Sequence, residues 1–324
     1  MLDDNDLVRE VAGPHDRNLA LLEALTSARI DPRGNEIAVS GPAGARARAR
    51  AAIEALLQRA RNRLPIEDVD VRAAALGNAA AAPGPAAAAG DAVAPVGAGA
   101  RLIKTPKRVI GPRNSAQGAY LDALARADLA FGVGPAGTGK TYLAVAHAVE
   151  LLLSGAVERV VLSRPAIEAG ERIGFLPGDM KDKVDPYLQP LYDALHDMLH
   201  VDYVARRIAA GDIEIAPLAF MRGRTLARAA VILDEAQNAT IAQMKMFLTR
   251  LGEGARMAIT GDPTQSDLPT HEASGLADAL VRLQGVEGVS VSRFTSADVV
   301  RHPLVARILE RYERDASARG APRP

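Results

Sequence analysis

One run of eight residues constrains this chain more than anything else in it: Gly134-Pro135-Ala136-Gly137-Thr138-Gly139-Lys140-Thr141. It satisfies GxxxxGK[ST]. The β-prone run 129–133 precedes it and the helical run TYLAVAHAVELLL leads away from it, the strand–loop–helix context that gives the motif its meaning. Glycines let the N–H groups of a tight loop turn toward phosphate oxygens, and the N-terminus of the following helix adds positive potential. Residues Gly134 to Gly139 are therefore the expected phosphate cradle. Lys140, on what the sequence presents as an exposed loop, is expected to reach the β- and γ-phosphates, and the Thr141 hydroxyl to bind magnesium. ATP and Mg2+ are the cofactors this implies. Four more β-prone runs, 160–163, 230–233, 257–260 and 289–292, each lead into a helical or loop segment. That alternation predicts an α/β fold with a mainly parallel sheet covered by helices on both faces. Gly41-Pro-Ala-Gly44 repeats the same tetrapeptide without Lys-Thr and cannot serve as a phosphate loop.

A phosphate loop needs a carboxylate on a neighbouring strand to hold its metal, and Val231-Ile232-Leu233-Asp234-Glu235 is an apolar run ending in two acids. Asp234 is expected to hold magnesium through water. Glu235, one residue farther out, is expected to orient the attacking water or take its proton. The run 257–260 ends in Thr260-Gly261-Asp262-Pro263-Thr264-Gln265, at the carboxyl end of a strand, where ligands of wound sheets gather. Gln265 is thus a candidate for the γ-phosphate or the lytic water, against an ordinary Asp-Pro turn; Asn238 stands in the same position. Gln117 opens the helix before the loop strand, and its amide could pair with the N6/N7 edge of adenine, against the default of a solvated glutamine on a helix surface. His196 and His200 have the spacing of a zinc helix, but the residue after His196 is Asp197 where that motif needs glutamate, so an amphipathic helix is the better account.

Ahead of this region lies a smaller unit. Leu19, Leu21, Leu22 and Leu25 mark a helix, Gly34-Asn35 a turn between two short strands, and 45–63 a second helix with Ile53, Leu56, Leu57 and Ala60 on one side. Helix–strand–strand–helix resembles part of a KH unit, and Gly41–Gly44 is a GxxG, though not between two helices as KH loops require. Arg46, Arg48, Arg50, Arg59, Arg61 and Arg63 are either a phosphate-contacting set or a solvated helix face. Residues 73–100 are nearly all Ala, Gly and Pro, the composition of a flexible linker. The expected organisation is a small α/β unit at 1–72, a linker at 73–100, the nucleotide domain at 101–315 and a disordered tail at 316–324. Lys and Arg number 39 against 39 Asp and Glu, so nucleic-acid contact must come from local patches. With no cysteine, disulfide frameworks, thiolate nucleophiles and cysteine-ligated metals are excluded. The opening MLDDNDLVREV lacks the basic start of a secretory signal, and no stretch has the apolar length of a membrane span, so the cytoplasm is the expected location.

Taken together, GPAGTGKT, SRPAIEAGERIGFLPGDMKDKVDPYLQPLYDAL, VILDEAQNAT, TGDPTQSDLP and VVRHPLV resemble the PhoH family over about residues 101–312. The resemblance implies a RecA-like core similar to the first motor domain of superfamily I helicases, with Gln117 on adenine and Gln265 sensing the γ-phosphate. It further implies an ATPase linked to RNA metabolism, often alongside a YbeY-type endoribonuclease. The region before the linker is similar to the amino-terminal unit of the YbeZ-like branch. Arg164, Arg172, Lys181 and Lys183 fall where such motors contact a strand backbone, but acids are interspersed among them, so the stretch is either a nucleic-acid contact or a protein–protein loop. The rival reading is an interaction module whose assembly ATP controls. Phosphoryl transfer of this kind gains from an arginine on the γ-phosphate. Arg301 is the first candidate and Arg293 the second; a finger in trans would require a homo-oligomeric ring such as a hexamer.

Overall fold

The computed structural model describes residues 5–34, 36–77, 101–165, 180–269 and 272–299. Expectations placed on residues 78–100, on Arg301 and on the tail at 316–324 lie outside them, as do the side chains of Arg172, Lys181 and Lys183. The chain divides into two compact units.

The small unit runs α1 (Asn5–Ala12), α2 (Arg17–Thr26), β1 (Arg29–Arg33), β2 (Glu36–Ser40), α3 (Ala43–Arg61) and α4 (Asp68–Gly77). The strands form an antiparallel hairpin in which Arg33 faces Glu36. Ala45, Ala49, Ala52, Ile53, Leu56 and Ala60 recur at helical spacing along α3 and are buried, packing on Leu19 and Leu22 of α2 and Val71 of α4. α4 differs from the expected linker start: residues 73–77 continue a helix, because an alanine run is the best helix former and Ala75 has a core to enter. Two of the six arginines are structural. Arg48 donates to the Thr26 carbonyl at 3.0 Å and Arg59 pairs at 3.1 Å with Asp70, whose side chain is fully buried. Gly41 follows β2 and Gly44 lies inside α3, so the GxxG run is a strand-to-helix turn.

The larger unit begins with a short hairpin, β3 (Ile103–Lys104) and β4 (Val109–Ile110), and α5 (Ser115–Arg126). It continues through β5 (Leu129–Val133), α6 (Lys140–Leu153), β6 (Arg159–Arg164), α7 (Met180–Met198), α8 (Val201–Ala210), β7 (Ile213–Pro217), β8 (Ala229–Leu233), α9 (Ile241–Leu248), β9 (Arg256–Gly261), α10 (Gly275–Arg282) and β10 (Val289–Arg293). Six strands form one parallel sheet in the order β10-β5-β9-β8-β6-β7. All five expected strands are there, and β7 is added at the edge. Its alternation is short and ends in Pro217, which a sheet tolerates only at an edge or a strand end. Ala130, Leu162, Ile232 and Ala258 pack under α5 to α8, whereas Phe131, Val161, Leu233 and Ile259 pack against α9 and α10. The fold is therefore an α/β sheet wound on both faces, and β5 and β8, flanking β9, are buried at every position.

Candidate nucleotide site

Strand alternation builds the site. Gly132 stands opposite Thr260, and Ile232 stands opposite both Ala258 and Leu162. Two residues farther along each strand on the same face come Thr260, Asp234 and Arg164, a row across β9, β8 and β6 at their carboxyl ends. The N-terminus of α6 meets this row. Thr141 Oγ1 donates to Asp234 Oδ1 at 2.5 Å and Thr260 Oγ1 to the same oxygen at 2.7 Å. Arg164 covers the other oxygen, its Nε donating at 2.7 Å and its Nη2 closer still. Asp234, 1% exposed, is thus a buried carboxylate held by two hydroxyls and a guanidinium.

The phosphate loop needs its glycines. A Cβ on Gly134, at φ +138, would lie 2.2 Å from the Phe294 carbonyl oxygen, and Gly139 sits at φ +85 with Gln117 Nε2 3.0 Å from where a Cβ would be. Lys140 is not the exposed group the sequence suggests. At 8% exposure its Nζ donates to the carbonyls of Gly134 at 2.6 Å and Pro135 at 2.7 Å. The Thr138 hydroxyl donates to the Pro135 carbonyl at 3.0 Å, closing the turn. Asn114 caps α5 by accepting from the Gln117 N–H at 2.9 Å, which fixes Gln117 beside the loop. There its amide donates to the Thr138 carbonyl at 3.0 Å and accepts from the Arg113 N–H at 2.7 Å. The glutamine expected on adenine is thus adjacent to the loop, with both ends of its amide joined to the backbone.

Glu235 follows in a left-handed conformation, φ +53 and ψ +39, which turns its half-exposed carboxylate into the cleft. Gln237 Nε2 donates to Glu235 Oε2 at 2.6 Å, and Gln237 Oε1 accepts from the Asp262 N–H at 3.0 Å. Gln265 Nε2 donates to Asp262 Oδ2 at 2.8 Å, completing a chain from Glu235 to Gln265. Asn238 turns away: its amide oxygen accepts from the Asp267 N–H at 2.8 Å. Gln237 is the residue sequence reasoning missed, and its only signal was its place two residues after an acid. Arg164, expected on a strand backbone, is instead on Asp234, with Nη1 donating to the Tyr187 carbonyl at 3.0 Å. His196 lies in the last turn of α7 and His200 caps α8, so the two histidines do not share a helix.

Loop, acids and glutamines line one cavity of about 280 Å³, including Gly137, Gly139, Lys140, Thr141, Asp234, Glu235 and Gln265. That is just below the ~300–1,000 Å³ of ordinary small-molecule pockets, a size suited to phosphates and an ion. The donor set fits: a hydroxyl and a carboxylate meeting at 2.5 Å are hard oxygens of the type magnesium takes. Among the described residues no helix is long and apolar enough to cross a membrane.

The chain is similar in sequence to known proteins. A PhoH-like protein of Synechocystis is 44% identical over 316 residues, covering 97% of this chain and 94% of its own. One of Mycobacterium bovis is 43% identical over 312 residues, covering 95% and 86%. A PhoH-like protein of Bacillus subtilis is 62% identical over 195 residues, 60% of this chain and 61% of its own length. Among solved structures, a Sulfolobus solfataricus SWI2/SNF2 ATPase core in complex with dsDNA superposes on 46% of this chain at 15% identity and a TM-score of 0.29, too loosely to bear on function. The model of the PhoH-like protein family matches residues 109–313, and with full-length relatives at this identity the chain, a P-loop NTPase-like protein, belongs to the PhoH family.

Proposed function

We propose that the protein hydrolyses ATP with magnesium, in the cytoplasm, in the service of RNA metabolism. The observation that carries this reading is the convergence of Lys140, Thr141, Asp234, Glu235 and Gln265 on one cavity at the carboxyl ends of the strands. Backbone N–H groups of the loop and the N-terminus of α6 attract the phosphates. Lys140 is close enough to the loop mouth to exchange its carbonyl partners for phosphate oxygens. Thr141 and Asp234 would hold the ion, which when bound neutralises charge on the β- and γ-phosphates. Glu235 is the base or orienter for the attacking water, and its hydrogen bond from Gln237 fixes the carboxylate's direction. Gln265, tied to Asp262, is the residue we assign to respond to the γ-phosphate. Gln117 holds the loop, and to meet adenine its amide would exchange its bonds to Thr138 and Arg113.

Lys140→Ala is expected to lose ATP binding. Glu235→Gln is expected to bind ATP and magnesium and hydrolyse slowly, because an amide keeps the size but takes no proton. Turnover at saturation unchanged in Glu235→Gln sinks this assignment. Stimulation of the wild-type ATPase by single-stranded RNA supports the RNA role, in which a YbeY-type endoribonuclease is the partner the family suggests. ATPase activity indifferent to RNA favours the rival, an interaction module controlled by nucleotide. Arg293 ends β10 beside the loop strand, paired with Val133, and is the described candidate for an arginine finger; Arg301 remains the other. Full specific activity in a strictly monomeric protein would exclude a finger from a second copy.

A further inference from the structure

Arg164 has a role that the reading of a magnesium-dependent nucleotide site, on which this inference rests, does not itself supply. Its side chain is 17% exposed and that of Asp234 2%, so the pair is desolvated. Arg164 approaches Asp234 Oδ2 with two nitrogens, one of which is also 3.9 Å from Glu235 Oε1. Its third nitrogen donates to the Tyr187 carbonyl on α7. The guanidinium therefore meets, from the β6 side, the carboxylate whose other oxygen receives Thr141 and Thr260. A buried carboxylate without a counter-charge is unstable, and a cation that satisfies it also competes with any other.

We propose that Arg164 is a built-in counter-cation that stands in for the metal on Asp234 while the site is empty, and that the magnesium–nucleotide complex displaces it. Displacement frees Nη1 as well, because a planar guanidinium cannot leave Asp234 and keep its geometry to Tyr187. Arg164 is thus a positioning residue with two ends, one on the metal carboxylate and one on α7. Through it, occupancy of the site is read out on a helix that contributes no residue to the phosphate cradle.

The test measures binding rather than turnover. Mant-ADP bound to the full chain is titrated with MgCl2, in wild type and in Arg164→Gln. If Arg164 occupies Asp234 in about nine of ten empty molecules, the metal requirement is raised about tenfold, so Arg164→Gln should reach half-saturation at about one-tenth the Mg2+ concentration. A requirement unchanged or raised in Arg164→Gln overturns the proposal, as would be seen if Arg164 contacted phosphate instead. The second measurement needs no change in the site. The Arg164 Nε–H resonance, assigned by its loss in Arg164→Lys, should shift when MgCl2 is added to the wild-type ADP complex. A resonance that stays where it is overturns the proposal. Wild-type protein that binds no mant-ADP at all overturns the nucleotide-site reading as well, whereas binding with an unaltered metal requirement overturns this inference alone.

Discussion

Glu235 is held in a conformation that its side chain disfavours, and the cost can be measured. Its φ of +53 lies in the left-handed region, where an L-residue is less stable by about 1–2 kcal/mol. Glycine escapes that cost but loses about 0.5–1 kcal/mol more backbone entropy on folding. Glu235→Ala and Glu235→Gly both delete the carboxylate and the hydrogen bond from Gln237, so those losses cancel between them. With the side chain 48% exposed, no buried volume enters the comparison. The difference left is about 0–1.5 kcal/mol, centred near about 0.75 kcal/mol, in favour of glycine, or about 1.5–3 °C in Tm at that centre for a domain of this size. Thermal denaturation of both variants without nucleotide measures it, and Glu235→Asn should fall between them because asparagine tolerates this region. An alanine variant as stable as the glycine variant would show that Glu235 bears no strain. Strain of this kind persists where the surrounding structure fixes it and a function uses it, here the aim of a carboxylate into the cleft.

Other sites give sharper contrasts. Gly134→Ala combines a positive φ with a Cβ 2.2 Å from the Phe294 carbonyl, whereas Gly155→Ala, at φ +72, meets nothing within 4 Å; the first should lower the Tm well beyond the second, whose cost is about 1 kcal/mol. Burial keeps the His147 imidazole below its ordinary pKa despite its contact with Glu150. The unfolded chain then binds the extra proton first, so this stability is present above about pH 6.5 and is lost as pH falls toward the lower folded value; His147→Gln should flatten the acid limb of a Tm–pH profile. Gln237→Leu should lower ATP turnover about tenfold or more with little change in ATP affinity, since its amide holds Glu235 and touches no loop residue.

Four of the five expected strands were legible because each is an apolar run of sheet length bounded by turn residues, the fifth, β10, by its alternation of Val and Ser at the sheet edge, and the loop sequence tied the first of them to a helix. Other elements carried weaker signals. β7 holds Glu214 among three apolar residues and ends in proline, α4 begins in two aspartates and runs into alanine, and the hairpin of β3 and β4 has two residues a side. In each case tertiary packing decides what local pattern leaves open. Within the site, Lys140, Thr141 and Asp234 were found by residue type and spacing. The other two partners of Asp234 were not, because Thr260 and Arg164 lie 26 and 70 positions away in sequence. Only the strand order, with β8 between β9 and β6, brings them to one carboxylate. Once that order is known, counting two residues past the paired Ile232, Ala258 and Leu162 finds all three.

Lys140 shows how far residue type alone falls short. Read from the motif, its truncation removes a charge from an exposed loop and leaves stability untouched. In the folded chain its ammonium group satisfies the carbonyls of Gly134 and Pro135, both half-buried. Truncation takes the donor from two half-buried acceptors, at a cost of about 0.5–1.5 kcal/mol, the net worth of an ordinary hydrogen bond. Lys140→Ala should therefore melt below wild type in the absence of nucleotide, in addition to losing ATP. A nucleotide-free Tm equal to that of wild type would mean that the lysine points into solvent. The same contacts bear on binding. Lys140 on its loop carbonyls and Arg164 on Asp234 are both cations engaged by oxygens of the protein itself. A phosphate or metal that binds there would exchange these bonds for its own.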